Sequence, residues 1–429
     1  MISTRSLALA AVSLAGSAKA LSSCVLFDTT WNLYAFGGSS DVGLGASPWS
    51  SISATTLPTS GRPPFTGEHL TCHLNQYNNL FYFLGADGSN SNVIYIYDPS
   101  SSTWASQTTT GVPDLSQTDT ILDHDTLVFF TLSGSTLYQL DFSTITSATS
   151  GSGLAWDNEV NNAPFNSSYN PTMALASNHI QFFGAPNVAA GSAEIFVIHY
   201  SDFQAAAQAF PTLNGGAAFP DSHGQATSFF LDSGDAQLQM AFVPDDFSST
   251  YVVTHWTSSS TAGSTDGAPD GISTYINTTQ ILPAPSSKDT SSSYAASDTT
   301  LVQLDSTGAL YQLQAFSSSG GYVVNSSAAW SKIGYTLTGG VSTNGSTSAS
   351  SSASAAASSA ASSASASSKA SSASMSSVKA SASSSSTKAS ASASASASAS
   401  ASGSSRLAQT GWWGLVGSGL VGLGAVLFL

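Results

Sequence analysis

The sequence predicts an all-β fold, a β-propeller of six to seven blades, followed by a disordered stalk rich in Ser and Ala. Three observations predict the propeller. Short apolar stretches of strand length alternate with turns rich in Gly, Asp, Asn and Ser. Most of these stretches come in pairs that form hairpins, and the pairs recur at intervals of about 50 residues. Radial blades suit such short hairpins because they leave few exposed strand edges.

Residues 1–20 have the three parts of a secretory signal peptide. Arg5 supplies the positive charge, residues 7–16 form the apolar segment, and Ala18-Lys19-Ala20 is the small-x-small cleavage motif. An apolar segment of about ten residues is too short to cross a bilayer, which takes about 20. We therefore predict export of the chain, with cleavage after Ala20.

Residues 21–340 hold most of the aromatic side chains and are predicted to form the propeller head. All 24 acidic residues of the chain lie in this segment, where the basic residues are Arg62, Lys288 and Lys332. A surface with so much negative charge repels phosphate backbones, which argues against nucleic acid as a partner.

The predicted hairpins follow one another along the head. Residues 32–36 open the series, and the first hairpin pairs residues 80–84 with 93–97. The next four pair 127–132 with 137–140, 180–183 with 194–200, 238–243 with 251–256, and 310–313 with 322–324. The last interval is long enough for further strands near residues 272–282 and 300–304, so the blade count stays open between six and seven.

A family resemblance rests on six residues in the first part of the head: Gly37, Gly38, Trp49, Tyr97, Asp98 and Trp104. The double glycine ends a strand, and the last tryptophan follows a Tyr-Asp-Pro turn. This order resembles the kelch repeat and covers residues 25–110, whereas the later units keep only the hairpin. The resemblance implies a kelch-type propeller in which the glycines permit close packing and the tryptophans fill space between blades.

The predicted export of the chain has consequences for its cysteines and its N-glycosylation sequons. Cys24 and Cys72 are the two cysteines of the chain. In an oxidising compartment they are predicted to form a disulfide from the first strand to the second blade, worth about 3–4 kcal/mol. Four Asn-x-Ser/Thr sequons are predicted sites of N-glycosylation on surface loops: Asn166, Asn277, Asn325 and Asn344.

Residues 341–405 are almost entirely Ser and Ala and are predicted to form the stalk. Methyl groups and hydroxyls alone cannot offset the cost of ordering the backbone, about 1–2 kcal/mol per residue. Dense hydroxyls on an exported chain are acceptors for O-linked glycans, which would stiffen the segment. Fully extended, the stalk reaches at most about 215 Å.

Residues 406–429 have the features of a GPI-attachment signal. An uncharged apolar tail runs from residue 411 to the last residue, and a short polar spacer precedes it. The small residues before the spacer are the candidate attachment sites: Ser402, Gly403 and Ser404. Signal, stalk and tail in this order resemble fungal cell-wall and plasma-membrane proteins. We expect a lipid anchor on the extracellular face of the plasma membrane or in the wall, with a single-pass membrane protein as the alternative.

No catalytic site, metal site or cofactor is predicted, and the enzyme alternatives are a secreted copper radical oxidase and an aspartic protease. Kelch-type propellers include copper radical oxidases that resemble galactose oxidase, whose chemistry needs a free cysteine crosslinked to a tyrosine. The predicted disulfide uses both cysteines. Asp28 and Asp232 superficially resemble the paired aspartates of pepsin-like proteases. However, Thr30 stands where the first tight loop of that family needs glycine.

Several metal-capable side chains were interpreted as solvated polar residues at blade edges. His69 and His73 could share one face of a strand, but the spacing suggests no third ligand. Asp123-His124-Asp125 is the second such group. Two acidic pairs in loops, Asp245 with Asp246 and Asp266 with Asp270, could alternatively bind calcium weakly. The favoured function is therefore binding of a glycan or a protein by the loops of the head, with exposed aromatic rings stacking on sugars.

Overall fold

Six sheets, each of four or five strands, form the blades of a propeller in a computed structural model of the chain. The structure describes residues 23–230, 237–255 and 275–339. The predicted signal peptide, stalk and GPI signal, together with Asn344, lie outside the described residues. Within them the chain is all-β, as predicted, apart from three short 3-10 helices. No helix among these residues has the length and apolar character needed to cross a bilayer.

Each blade is a run of consecutive strands in which the first strand is the innermost. Blade 1 contains β1 (Cys24–Phe27), β2 (Leu33–Phe36), β3 (Val42–Gly45) and β4 (Thr55–Thr56). Blade 2 contains β5 (Thr71–Asn75), β6 (Leu80–Leu84), β7 (Val93–Asp98) and β8 (Thr103–Thr110). Blade 3 contains β9 (Thr118–Leu122), β10 (Val128–Ser133), β11 (Thr136–Asp141) and β13 (Asp157–Asn161).

The other three blades follow the same plan. Blade 4 contains β14 (Met173–Ala176), β15 (His179–Phe182), β16 (Ser192–Val197), β17 (Asp202–Phe203) and β18 (Gln208–Ala209). Blade 5 contains β19 (Gly224–Ser228), β20 (Gln239–Pro244), β21 (Thr250–Thr254) and β22 (Thr278–Leu282). Blade 6 contains β23 (Ser293–Ala296), β24 (Thr300–Leu304), β25 (Ala309–Gln314) and β26 (Ser331–Thr336).

One strand departs from this plan. The chain leaves blade 3 after β11, and β12 (Gly151–Ala155) pairs in parallel with β8, the outer strand of blade 2. It then returns to blade 3 as β13, which pairs with β11. The outer edge of blade 2 is thus covered by a segment that belongs to blade 3 in sequence.

The inner strands form a closed ring. Each of them contacts the inner strand of the next blade, and β23 of blade 6 contacts β1 of blade 1. The ring has six members and not seven. The extra strands predicted near residues 272–282 and 300–304 are β22 and β24, which complete blades 5 and 6.

One predicted hairpin is wrong, and the predicted strands leave out the inner strand of every blade, namely β1, β5, β9, β14, β19 and β23. β25 pairs with β26, whereas residues 322–324 form only a single bridge between Val324 and Phe316. β26 takes this place because Ile333 enters the core between blades 6 and 1. The first strand of the head is β1, which pairs with β2 and is fully buried.

The hydrophobic cores lie between the blades. Each of the six apolar clusters is built by two consecutive blades, and the sixth cluster joins blade 6 to blade 1. Between blades 1 and 2, for example, Phe36 packs edge-to-face against Phe81 and Phe83, with ring centroids 5.8 and 4.8 Å apart. Every blade therefore has one face buried against each of two neighbours.

The double glycine lies at the seam between the first and last blades. Gly37 has a φ of +91°, and its N–H donates to Asp41 Oδ1 over 2.9 Å. A Cβ on Gly38 would lie 2.7 Å from Leu337 Cδ1 and 2.9 Å from the Thr338 carbonyl oxygen. Gly37 thus allows the turn at the end of β2, and Gly38 allows the end of blade 6 to pack directly on blade 1.

The tryptophans fill space between blades, as predicted. Trp49 is buried in the cluster that joins blades 1 and 6. Trp104 packs against the cluster between blades 1 and 2, next to the fully buried Tyr97, and its Nε1 donates to the Pro58 carbonyl over 2.9 Å. Asp98 caps the turn that precedes Trp104 by accepting from the Ser100 N–H.

Cys24 and Cys72 form the predicted disulfide. The bond joins β1 to β5, the inner strands of blades 1 and 2. It therefore links two blades that already follow each other in the chain, and leaves the seam between blades 6 and 1 without a covalent bond.

Replacing Gly38 by Ala is expected to lower the free energy of unfolding by about 1–3 kcal/mol, because the new methyl group overlaps Leu337 and the backbone at the seam. Urea unfolding of the two proteins measures the effect. Gly334→Ala is the matched control, since a Cβ there meets no atom within 4 Å. Equal losses in the two variants would contradict tight packing at the seam.

Candidate functional site

A pocket of about 390 Å³ lies on the propeller axis, walled by the six inner strands. We call it the axial pocket. Its volume falls in the range of small-molecule sites, about 300–1,000 Å³. Because the inner strand is the first strand of every blade, all six inner strands begin at the same end of the pocket.

The opposite end, where the inner strands finish, is crossed by side chains. Gln237 of blade 5 donates through Nε2 to Oε1 of Gln76 in blade 2 over 3.2 Å. These blades face each other across a ring of six, so the bond spans the axis. Beside it, the ring of Phe230 from blade 5 approaches Trp31 of blade 1, with centroids 6.4 Å apart. The axial pocket is thus closed at this end and opens where the inner strands begin.

Polar side chains surround the open end. Glu68 and His69 of blade 2 and Asn170 of blade 4 are exposed and line the pocket. His223 of blade 5 is half-buried, and its Nδ1 lies 2.8 Å from Oδ2 of Asp245. Carboxylate, imidazole and amide groups from three different blades therefore converge on one opening.

Asp119 is the charged group set deepest in the wall near this opening. Its Oδ2 accepts a hydrogen bond from the Met173 N–H of the neighbouring inner strand over 2.6 Å, and its Oδ1 accepts from the Thr120 N–H over 2.8 Å. Burial raises the pKa of Asp119 to about 6, although these two hydrogen bonds act in the opposite direction. The carboxylate links blades 3 and 4 and also contributes charge to the pocket.

Hydroxyl groups provide similar links between other inner strands. Ser228 Oγ accepts from the Leu175 N–H over 3.1 Å and donates to the Leu175 carbonyl over 2.6 Å. Ser293 Oγ accepts from the Val25 N–H over 3.4 Å. Side chains thus satisfy backbone groups on the inner edges, which have no strand partner within their own blade.

Further polar residues line the pocket: Thr71, Thr118, Thr120, Gln225, Thr227 and Ser292. Four atoms of lining residues have no hydrogen-bond partner among the described residues, namely Thr71 Oγ1, His73 Nε2, His124 Nδ1 and Gln237 Oε1. Buried polar atoms are normally paired, so Thr71 Oγ1 and Gln237 Oε1 can accept hydrogen bonds from a guest or from water. The pocket is suited chemically to a hydroxyl-rich guest.

His69 and His73 do not act together. His69 is exposed at the open end, whereas the His73 ring packs on Phe129, with centroids 5.3 Å apart. Burial lowers the pKa of His73 to about 3, so the imidazole is neutral. The expectation of a solvated side chain is wrong for His73, because β5 turns its ring towards the core between blades 2 and 3.

Asp123-His124-Asp125 form the turn after β9. His124 Nε2 lies 2.8 Å from Asp125 Oδ1, and Asp123 Oδ2 accepts from the Thr126 N–H. Asp123 and His124 are buried, which differs from the solvated interpretation, because the turn folds under the closed end of the pocket. Within the described ranges, no three His, Cys, Asp or Glu side chains are grouped to hold a metal ion.

The remaining acidic candidates are turn residues or are not described. Asp28 Oδ1 accepts from the N–H groups of Thr30 and Asn32 at 2.9 and 2.8 Å, which is a turn cap. Asp246 caps its own turn in the same way through the Ser248 N–H. Asp232, Asp266 and Asp270 lie outside the described residues. Both cysteine sulfurs are in the disulfide, so neither is free for a crosslink to tyrosine.

The sequon asparagines in the described part of the head differ in their surroundings. In Asn166 and Asn325, Oδ1 accepts hydrogen bonds from the N–H and the hydroxyl of the serine two residues later. Asn277 instead lies close to the core, and its Oδ1 is 2.9 Å from His255 Nδ1. Glycosylation at these positions stays a prediction.

The residues that build the axial pocket were not predicted from the sequence; they include Asp119, Asn170, His223 and Gln237. The first three lie at or just before the inner strands of successive blades, so a polar residue at the start of each repeat was the available signal. Exposed aromatic rings contribute less than expected. The exposed large apolar side chains among the described residues are Tyr77, Tyr200 and Val323, and most aromatic rings are buried between blades.

Comparisons with known proteins identify no family. No family model and no curated protein matches the chain. One of the solved structures that match is titled "Structure of YjhT", with 10% sequence identity and a TM-score of 0.45. The match covers 73% of this chain and 98% of the other.

The pH dependence of stability is expected to report a buried histidine pair, His179 and His255, whose rings lie 4.9 Å apart. Burial lowers their pKa values to about 4 and about 3. Below pH 6.5 the unfolded chain takes up these protons and the folded head does not. Each ring therefore reduces the free energy of unfolding by about 1.4 kcal/mol per pH unit as the pH falls towards its folded pKa.

Urea unfolding at a series of pH values between 6.5 and 4.5 tests this. His255→Gln is expected to flatten the dependence relative to the wild-type protein, whereas His69→Gln, at an exposed position away from the pair, is expected to leave it unchanged. Asp119 acts in the opposite sense, because its raised pKa favours the folded head as the pH falls. An unchanged slope in His255→Gln would contradict the burial of this pair.

Proposed function

We propose that the protein is a GPI-anchored surface glycoprotein whose propeller head binds a glycan in the axial pocket. The observation that carries the proposal is the pocket itself, a concave site closed at one end and lined by hydroxyl and amide groups. Sugars present many hydroxyl groups that both donate and accept hydrogen bonds, and such walls complement them.

A glycan is favoured over a protein as the ligand for two reasons. A protein partner needs a broad surface with aromatic or apolar side chains at its centre. The described surface offers few of these, since its exposed large apolar side chains are Tyr77, Tyr200 and Val323. A narrow pocket on the axis suits one or two sugar rings better than a protein surface.

The proposed location rests on the sequence. Residues 1–20 support export, residues 341–405 support a stalk, and residues 406–429 support a lipid anchor, so the head would stand away from the membrane. A kelch-type propeller is supported by the packing of Gly38 at the seam and of Trp49 and Trp104 between blades. Organisation of the wall and adhesion are roles that suit a binding head on such a stalk.

Glycan binding is expected to require an open axial pocket. Asn170→Trp places a large ring at the opening and is expected to abolish binding of the purified full-length protein on a glycan array. Asn158→Trp is the matched control, because Asn158 is also exposed but lies on the outer strand of blade 3. Binding that survives in Asn170→Trp would place the ligand elsewhere.

Attachment through a lipid is expected to make the protein sensitive to a phospholipase specific for phosphatidylinositol. Treatment of intact cells should release the head with its stalk into the medium. An epitope placed after Leu429 should be missing from the surface form, because the transamidase removes the tail. Full-length surface protein that keeps the epitope and resists the enzyme would instead be a single-pass membrane protein.

A further inference from the structure

We propose that the axial pocket selects a sugar that carries a free primary amine, with Asp119 as the partner of the ammonium group. This inference rests on the proposed glycan-binding function and specifies the ligand class. It follows from the charge of the pocket, from the environment of Asp119 and from unpaired acceptors in the wall.

The carboxylates that line the described wall of the pocket are not balanced by lysine or arginine. Glu68 and Asp119 line it, and no lysine or arginine does so among the described lining residues. Arg62 is committed to Asp41 through a 2.6 Å ion pair. Lys332 lies on β26, an outer strand, and Lys288 is exposed and is not among the lining residues. A cationic ligand is therefore attracted to the opening, and an anionic sugar is repelled.

Asp119 has backbone partners but lacks a cationic side chain bonded to it. Both of its oxygens accept from backbone N–H groups, which leaves lone pairs free on a carboxylate. Burial disfavours the charged form of this group, so an ammonium ion beside it would supply a counter-ion in a partly desolvated place. A charge-assisted hydrogen bond there is stronger than one between neutral groups.

An independent observation also points to a donor-rich ligand. Gln237 is only 3% exposed and lines the closed end of the pocket. Its Nε2 is used in the bond to Gln76, while its Oε1 has no partner among the described residues. A buried acceptor without a donor is costly unless a guest or a water molecule supplies one. Sugar hydroxyl and ammonium groups are such donors.

Three sugars that differ at one position test the inference, namely the β-1,4-linked disaccharides of glucosamine, N-acetylglucosamine and glucose. Isothermal titration calorimetry with the purified full-length protein is expected to show the glucosamine disaccharide binding roughly tenfold more tightly than the other two. Asp119→Asn is expected to remove this preference, so that the three sugars bind with similar affinities. Asp157→Asn, at an exposed position on β13, is the matched control and should keep the preference.

The outcomes separate the two proposals. Equal affinities for all three sugars, lost together in Asn170→Trp, would overturn the selection of an amine and leave glycan binding intact. Absence of binding by every sugar on the array would overturn glycan binding itself. A preference that persists in Asp119→Asn would overturn the role of Asp119. If that variant does not fold, the wild-type preference must still weaken from low to high salt, and a salt-independent preference would overturn the inference.

Discussion

Closure of the ring of inner strands is the constraint on which the rest of the head depends. The apolar clusters lie between blades and not within them, so a single blade buries its two faces only when both neighbours are present. The same closure brings the six inner strands around one axis. The apolar cores and the axial pocket therefore both depend on closure of the ring, and a change that opens the ring affects both.

The seam between blades 6 and 1 is where this constraint is met without help from chain connectivity. Blade 1 contains β1 to β4 and blade 6 contains β23 to β26, so the two blades do not follow each other in the chain. Neither blade borrows a strand from the other. The disulfide lies in the next interface, between blades 1 and 2. The seam is held by side-chain packing around Trp49 and Ile333 and by the hydrogen bond from the Ser39 N–H to the Thr338 carbonyl. This explains why a double glycine, with no side chains to keep the backbones apart, lies there.

The fold was predictable from the sequence, and the site was largely not. Hairpin periodicity is a local property, which is why β6 with β7 and β20 with β21 appear where they were predicted. The partner of β25 was missed because 16 residues separate it from β26, beyond the reach of a hairpin pattern. Asp119 and Gln237 meet the other pocket residues only through ring closure. A polar residue at the start of a repeat marks Asp119 as a candidate, but its partner Met173 comes from another blade, so the sequence does not indicate which residues it meets.

The course of β12 has a consequence for how the head is made on the ribosome. β8, the outer strand of blade 2, acquires its outer partner only when residues 151–155 have emerged, after most of blade 3 has been synthesised. Until then its edge is open to pairing with any other strand nearby, which is a recognised route to misassembly. Blade 2 therefore completes its strand pairing only after most of blade 3 has been synthesised. A pause in synthesis between the two blades would prolong the exposure of the β8 edge.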